Sequence, residues 1–379
     1  MTAQLRSRCG GTSRGAEVTI IRVLIRFMTA GLTAGLVVVG TASAQAGGSA
    51  QWRVAYQPRV EGVVSSVAAT GPHDAWAVGQ LYRGEAPINQ PFVIHWAGQG
   101  WHAVRIPGAS GFSSQDVQAS SPRNAWVFGW DTRGAIALPA AFRWDGTAWH
   151  AVSLPESFGI GTELMISATD IWGVGQINCT PAACVSRLWH WNGSTWRSRS
   201  VGTFVTGLAS AGSNDVWAAG LNGMASVNEG SIVAYHWNGR RWLWVRMPHP
   251  HVNGFPGIGM SSAADVWLGS FIIRKGQYLG LALHWNGRQW RQLTAPAFLD
   301  AIGPVLPDGH GGAWLGSQAH WTGRSWVDVS AALPPGVSSF DVGPLTRIPG
   351  TSSYWAAGSL NVSFPSVRPA IWVYGPVPR

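Results

Sequence analysis

The chain has 379 residues, of which only 11 % are charged, and its formal net charge is +9. Its 49 Gly, 23 Pro and 24 Trp residues favour short strands joined by many turns, and they exclude a disordered tail or a charged helical rod. The arginines are scattered singly and Lys275 is the one lysine, so the sequence lacks the basic stripe that suits nucleic acid. We therefore expect an all-β protein without a nucleic-acid partner.

Residues 1–46 have the features of a leader with a signal peptide. A basic start precedes an apolar stretch from Met28 to Gly40, and the small-residue cleavage pattern Ala42-Ser43-Ala44 follows it. The alternative is an uncleaved membrane anchor, but the stretch is short and contains Gly and Thr. The sequence thus predicts a protein that is secreted or held in the cell envelope, with membrane contact only through an uncleaved signal, and a domain at 47–379.

Two motifs alternate along that domain. The first, of the type "DVWAAG" (215–220), occurs seven times at separations of 41 to 50 residues, and its tryptophans are Trp76, Trp126, Trp172, Trp217, Trp267, Trp314 and Trp355. The second, of the type "HWNGSTW" (190–196), follows each copy and contains the Asn-Gly or Asp-Gly signal of a β-hairpin in several of them. Units of this length with this hairpin are typical of four-stranded β-propeller blades.

The seventh unit ends in a truncated "IWVYG" (371–375) without its last tryptophan, and that tryptophan is present at the other end of the domain. The segment "QWRVAYQP" (51–58) has the shape of an outer strand and begins with Trp52. We predict a single seven-bladed β-propeller, closed by an N-terminal strand that completes the last blade. Closure of this kind removes the exposed edges of an open array.

The repeated polar residues are expected to be structural. One His per blade cannot approach a single metal ion to about 2.1 Å, so we expect these imidazoles to satisfy buried backbone groups; they are His95, His190, His236, His284 and His320. The aspartates before the first tryptophan are expected to accept backbone N–H bonds in a turn; they are Asp74, Asp170, Asp215 and Asp265. No metal, other cofactor or catalytic residue is predicted.

Cys179 and Cys184 are the only cysteines after the leader, and four residues including a proline separate them. In an oxidising compartment this spacing predicts a small disulfide-bonded loop. A metal site would need two more ligands nearby, which the neighbouring sequence does not offer.

Recognition is expected on one face of the ring. Because strands alternate in direction, the loops that follow the second and fourth strands of each blade share a face, and these loops vary in length and content. Candidate ligand-binding residues in the loops after second strands are Tyr82, Arg83, Trp130, Arg133 and Tyr278. A phenylalanine precedes the inner strand by a few residues in six units, and these rings are expected to form either an aromatic ligand platform or a hydrophobic plug; they are Phe112, Phe158, Phe204, Phe255, Phe298 and Phe340.

The motifs "DVWAAG" and "HWNGSTW" resemble those of secreted bacterial β-propellers of the tectonin, kelch and Asp-box type. The resemblance covers about 51–379. Tectonin-like propellers are associated with sugar or lipopolysaccharide binding and Asp-box propellers with sialidases, but the hairpins here lack the Asp-box serine and its paired glycines. The resemblance therefore implies the architecture more than an activity.

Together these features predict a monomeric binding or scaffold module that recognises glycan or cell-envelope material. One alternative is a cell-surface propeller that binds another protein. The other is a propeller glycoside hydrolase or lyase, which would need two carboxylates about 5–9.5 Å apart in a cleft.

Overall fold

The computed structural model describes residues 51–83, 86–177, 185–222, 230–248, 250–296, 299, 305–363 and 366–378. The expected leader, Cys179, Cys184 and Phe298 lie outside the described residues, and so does the side chain of Arg83. Within the described residues, the strands pair into seven antiparallel sheets of four strands, and one sheet gains a short fifth strand.

The strands are numbered in chain order, beginning with β1 (Trp52–Tyr56). Blade 1 contains β2 (Gly62–Gly71), β3 (Asp74–Arg83), β4 (Ala86–Trp96) and β5 (Trp101–Ala103). Blade 2 contains β6 (Phe112–Ser121), β7 (Asn124–Asp131), β8 (Leu138–Trp144) and β9 (Trp149–Ser153). Blade 3 contains β10 (Glu163–Ser167), β11 (Asp170–Ile177), β12 (Val185–Trp191) and β13 (Trp196–Val201). Blade 4 contains β14 (Phe204–Gly212), β15 (Asp215–Asn222), β16 (Gly230–Trp237), β17 (Trp242–Trp244) and the short β18 (His251–Val252).

The remaining blades follow the same order. Blade 5 contains β19 (Gly257–Ser262), β20 (Asp265–Arg274), β21 (Gln277–Trp285) and β22 (Trp290–Thr294). Blade 6 contains β23 (Val305–Pro307), β24 (Ala313–Leu315), β25 (Ala319–Trp321) and β26 (Trp326–Asp328). Blade 7 contains β27 (Ser339–Arg347), β28 (Tyr354–Ser363) and β29 (Ser366–Tyr374), and β1 is its fourth strand.

The seven blades form a closed ring, as the sequence predicts. The first strands of successive blades contact one another, as β2 does β6 and β14 does β19, so these strands are innermost. Strand β1 pairs antiparallel with β29, with Trp52 opposite Tyr374. The N-terminal strand therefore completes the last blade, and the fold is an all-β, seven-bladed propeller.

The Asn-Gly motif builds the hairpin between the third and fourth strands. In blade 3, Trp191 pairs with Trp196 across a four-residue loop, in which Gly193 has a φ of 95°. The Asn192 side chain accepts hydrogen bonds from the backbone N–H groups of Ser194 (3.1 Å) and Thr195 (2.9 Å). Glycine permits the left-handed backbone conformation, and the asparagine amide accepts the N–H groups of the turn, so the hairpin requires this Asn-Gly sequence.

Tryptophan contacts join neighbouring blades. Trp126 of blade 2 is 0 % exposed, and its ring lies 5.9 Å from Trp191 and 6.4 Å from Trp196 of blade 3. The same arrangement recurs where Trp355 of blade 7 meets the hairpin rings of blade 1. A buried indole removes about 150–250 Å² from water, so these aromatic groups are a large part of the core between blades.

The seventh blade departs from the expected register by two residues. The sequence suggests Trp372 as its hairpin ring, but Tyr374 lies opposite Trp52, at 5.4 Å between ring centroids. Trp372 is two positions earlier on the same face of β29 and packs against Phe340 at 5.1 Å. Because side chains repeat every second residue along a strand, either ring could fill the core, and sequence alone does not distinguish them.

The glycine that ends the first motif is required by a close backbone approach. A Cβ atom on Gly220 would lie 2.0 Å from the carbonyl oxygen of Phe204, and one on Gly79 would lie 1.9 Å from that of Val63. The pairing between the first two strands shifts register next to both contacts. The irregular pairing brings the inner strand's carbonyl to where a side chain would stand, so only glycine fits.

Replacing Trp52 tests how strongly β1 stabilises the ring. Trp52 is 5 % exposed and contacts Trp314 and Tyr374, so Trp52→Ala should lower the free energy of unfolding by about 3–5 kcal/mol. Chemical denaturation followed by tryptophan fluorescence measures this change. The neighbouring Arg53 is exposed, and Arg53→Ala should change stability by less than about 0.5 kcal/mol. Equal effects of the two substitutions would contradict a closing role for Trp52.

Candidate functional site

The repeated histidines bind aspartate side chains. In blades 1, 3, 4 and 5 the His Nε2 atom lies 2.7–2.8 Å from an aspartate Oδ1 atom, the pairs being His95–Asp74, His190–Asp170, His236–Asp215 and His284–Asp265. The prediction that these imidazoles bind buried backbone groups was therefore wrong, because their partner is an aspartate carboxylate. Each ring also lies against the first tryptophan of its blade, as His284 lies 4.0 Å from Trp267.

These contacts explain why the imidazole and the carboxylate recur together. The hydrogen bond to His190 lowers the pKa of Asp170 against the opposing effect of burial, and the bond to His284 does the same for Asp265. The aspartates were expected to bind backbone N–H groups, but they hold the imidazole in place against the indole. The Asp–His pair is thus part of the blade's packing and is not a site that converges on a ligand.

Blade 6 obtains the same pair from a different sequence position. His320 Nε2 lies 2.9 Å from Oδ2 of Asp308, which is on the loop after β23, and Gly312 stands near the usual aspartate position. The other oxygen of Asp308 accepts backbone N–H bonds from His310 (2.7 Å) and Gly312 (3.0 Å). The sequence left Asp308 unassigned because its spacing from the tryptophan differs from that in the other units.

Blade 2 replaces both members of the pair. Arg143 stands at the histidine position and Asn124 at the aspartate position, and Arg143 Nε donates to Asn124 Oδ1 at 3.3 Å. The amide nitrogen Nδ2 of Asn124 donates to Ser120 Oγ at 2.9 Å. The guanidinium of Arg143 therefore faces a neutral amide, whereas the histidine at the same position in five other blades faces a carboxylate.

A groove lies beside this replaced pair, between blades 2 and 3. It has a volume of about 470 Å³ and is lined by Trp126, Arg143, Asp145, His150, Val152 and Trp191. Two of these residues are departures from the repeat, because Arg143 stands where five blades have His and the hairpin of blade 2 begins with Asp145 where three blades have Asn. His150 follows the hairpin tryptophan, as His102 does in blade 1. The groove is on the face of the uniform hairpins, opposite to the face of the variable loops.

The groove's acid and imidazole are fixed by hydrogen bonds. Asp145 Oδ1 accepts bonds from the Thr147 hydroxyl (2.7 Å) and from the backbone N–H groups of Thr147 and Ala148 (both 2.8 Å). His150 Nε2 lies 2.7 Å from Asp145 Oδ2. These bonds, with that from the Thr147 side chain the strongest, lower the pKa of Asp145, so the carboxylate is ionised and orients His150.

A second groove, between blades 3 and 4, has a volume of about 300 Å³. Its lining includes the paired Asp170 and His190 and the hairpin residues Asn192 and Gly239. These polar groups are already used by the repeat, because Asp170 binds His190 and Asn192 caps its own turn. The groove between blades 2 and 3 differs from it in that its lining includes an arginine, Arg143, and the exposed Asp145–His150 pair.

Three of the predicted platform phenylalanines are buried. Phe112 is 3 % exposed, and Phe158 and Phe204 are each 2 % exposed, so none of them presents a ring face to a ligand. Phe255 and Phe340 are half-buried against the apolar core. The ligand-platform interpretation was therefore wrong for the three buried rings, whose packing is that of a hydrophobic plug, because they fill space against neighbours such as Gly173 and Phe142.

The other candidates on the variable face remain separate. Tyr82 and Trp130 are half-buried, whereas Arg133 is exposed and its guanidinium is held by Asp131 through Nε (2.9 Å) and Nη2 (2.6 Å). Tyr278 is 51 % exposed and its ring lies 5.3 Å from Phe271 within the same blade. The contacts of Arg133 and Tyr278 stay within their own blades, so these residues form no shared pocket in the part of the chain described.

Two acids lie together among the inner strands of blades 2 and 3. Asp116 and Glu163 are hydrogen-bonded to each other, and Asp116 also accepts from Ser66 Oγ at 2.5 Å and Gln118 Nε2 at 2.9 Å. Glu163 is 8 % exposed, and both of its oxygens accept from the backbone N–H of Gly161. Acids in direct contact are closer than the separation of about 5 Å or more that glycosidase carboxylates need.

Within the described ranges, no group of three or more His, Cys, Asp or Glu side chains is arranged to hold a metal ion. Those same ranges contain no long apolar helix of the kind that crosses a bilayer.

Comparison with known proteins supports the fold. No protein-family model matches the sequence, and no curated protein is detectably similar to it. The structure of YCF48 bound to D1 peptide aligns over 85 % of this chain and 96 % of its own, at 12 % identity and a TM-score of 0.54. YCF48 from Cyanidioschyzon merolae aligns over 86 % of this chain and 98 % of its own, at 14 % identity and a TM-score of 0.52.

An enzyme is also among the similar structures. The GH74 xyloglucanase from Xanthomonas campestris aligns over 84 % of this chain but only 55 % of its own length, at 13 % identity and a TM-score of 0.51. At such low identities these likenesses concern the propeller architecture. They do not define the repeat type or an activity.

The buried acid pair gives a prediction for pH dependence. Burial raises the pKa of Glu163 well above 4.5, and the Asp116 carboxyl raises it further. Folding therefore favours the protonated acid. The contribution of this group to the unfolding free energy is fully present below about pH 4.5 and is lost as the pH rises through the pKa of the folded state. Glu163→Gln keeps an acceptor for Gly161 and removes the ionisable group. Its unfolding free energy should depend less on pH and exceed that of the wild type at about pH 8 by about 1 kcal/mol or more.

Denaturation at a series of pH values measures this effect. Glu156 is exposed, so Glu156→Gln serves as the matched control and should follow the wild-type curve. Parallel pH profiles for wild type and Glu163→Gln would show that Glu163 does not bind its proton more tightly in the folded state.

Proposed function

We propose that this protein is a carbohydrate-binding module whose ligand occupies the groove between blades 2 and 3. The observation that carries the proposal is the convergence of the repeat's departures in one place. Arg143 and Asp145 break the pattern of the other blades, and both line the same groove together with His150. Residues that the fold does not need, gathered at one concavity, favour a binding role.

The chemistry of the groove suits a sugar ring. Arg143 provides N–H donors, and the Asp145–His150 pair provides a carboxylate and an imidazole, so hydroxyl groups can donate and accept within one site. The half-buried Trp191 adds an apolar surface for the C–H face of a sugar. The His150 side chain is 57 % exposed and that of Asp145 37 %, so the groove is open and could admit an end of a longer glycan.

This location differs from the one expected from sequence. The variable loops were expected to hold the ligand, whereas the proposed groove lies on the opposite face. Export also belongs to the proposal: the signal-like segment at 28–44 supports a protein that meets glycans outside the cell or in its envelope.

Protein binding is the second candidate function. The β20–β21 hairpin of blade 5 exposes Ile273 (42 %), Tyr278 (51 %) and Leu279 (37 %) beside the basic tip residues Arg274 and Lys275. Adjacent exposed apolar side chains are typical of protein contact surfaces. YCF48, whose structure was determined with a peptide, has the same general fold. A protein partner would use this hairpin and leave the groove between blades 2 and 3 free.

Substitution of His150 tests the proposed site. On an array of neutral and acidic glycans, the wild type should retain at least one class of glycan, and His150→Ala should weaken that binding by about 10-fold or more, because it removes a hydrogen bond and the partner of Asp145. His102 follows the equivalent tryptophan in blade 1 but has no hairpin aspartate, so His102→Ala is a matched control that should bind normally. Titration calorimetry with the retained glycan gives the two dissociation constants.

Two results would contradict the proposal. The first is an array on which no glycan is retained. The second is equal loss of affinity in His150→Ala and His102→Ala, which would place the ligand elsewhere.

A further inference from the structure

Two arginines at the hairpin end of blade 2 have no acidic partner. Arg143 donates only to the neutral Asn124 amide, and the stem of Arg123 lies against Gly146 of the hairpin, where a Cβ atom would be 2.7 Å from Arg123 Cγ. Neither guanidinium forms an ion pair with any carboxylate in the described residues. Within the described residues, these two positive charges therefore have no carboxylate bonded to them.

The other blades place different residues at both positions. Five blades have His where blade 2 has Arg143, and in each the imidazole is paired with an aspartate. The residues that lie against the hairpin glycine in place of Arg123 are His73, Thr169, Asn214 and Ala264 in blades 1, 3, 4 and 5. The fold therefore does not require arginine at either place, and the positive charge is particular to blade 2.

Asp145 does not form an ion pair with either arginine. Its Oδ1 atom is used by the turn and its Oδ2 atom by His150, and it forms no ion pair with Arg143 although both line the groove. A guanidinium presents parallel N–H donors that match the two oxygens of a carboxylate. The groove thus combines an anchored acid–imidazole pair for hydroxyl groups with an unpaired fork of donors for an anion.

We propose that the groove between blades 2 and 3 selects a saccharide that carries a carboxylate, such as a uronate, and that Arg143 binds this carboxylate. The proposal rests on the carbohydrate-binding function and names its ligand class. Asp145 and His150 bind ring hydroxyls, Trp191 contacts the apolar face of the ring, and Arg123 at the rim adds long-range attraction. The planar fork of Arg143 favours a planar carboxylate over a tetrahedral sulfate or phosphate group.

A variant that restores the repeat provides the test. Asn124→Asp combined with Arg143→His recreates the Asp–His pair of four other blades, so the variant should fold, and its melting temperature checks this. Wild type and variant are titrated with uronate oligosaccharides of several sugar types, with the methyl esters of the same oligosaccharides, with neutral oligosaccharides and with sulfated ones. The ester differs from the acid only at the charged group, so it isolates the carboxylate.

We expect the wild type to bind at least one uronate oligosaccharide about 10- to 100-fold more tightly than its methyl ester, and the variant to bind that acid and its ester with affinities equal to within about twofold. Equal wild-type affinity for acid and ester would overturn the ligand class and leave the carbohydrate-binding function in place. Sulfated oligosaccharides bound as tightly as uronates would also overturn it. Failure to bind any of the saccharides would overturn both proposals.

Discussion

The insertion of one indole from each blade between the hairpin rings of the next is the contact on which this fold depends. The buried Trp126 lies against Trp191 and Trp196, and Trp355 lies against the corresponding rings of blade 1, so the series runs around the ring without an end. A single blade has no surface of its own on which to bury its indole. Blades are therefore stable only as neighbours, and the ring must close for the last one to be covered.

This requirement constrains most of the conspicuous residues. The Asp–His pairs hold an imidazole against the indole, the Asn-Gly turn positions the two hairpin rings, and the glycine after the indole permits close strand pairing. Residues that recur from blade to blade serve a structural need that recurs from blade to blade. The positions that break the pattern are under a different constraint, and in blade 2 the departing side chains Arg143 and Asp145 line one groove with His150.

Much of the fold could be predicted from the sequence, because a core that repeats from blade to blade is built from residues that repeat at regular spacing. The seven blades, the hairpins and the closing role of Trp52 follow from spacing alone. The choice of Tyr374 over Trp372, and the supply of a carboxylate by Asp308, could not be predicted, because each depends on three-dimensional register and not on distance along the chain. The burial of Phe112, Phe158 and Phe204 has the same origin, since a loop position does not reveal whether its ring points inward.

The candidate groove was harder to predict than the fold. Its residues lie in the repeated motifs, which sequence reasoning had assigned to structure. The signal was present in the combination of Arg for His, Asn for Asp and Asp for Asn within one unit. Only the packing of blade 2 against blade 3 shows that Arg143 and Asp145 share a surface with an indole.

The pairing of β1 with β29 has a consequence for the order of assembly. The strand at the start of the domain has its hydrogen-bonding partner more than 300 residues later, so it stays without that partner until the final blade has been synthesised. During that interval β1 is unpaired and Trp52 lacks its partners Trp314 and Tyr374. The strand β1 is thus the first to leave the ribosome and the last to pair. In a chain without β29, β1 would have no strand to pair with.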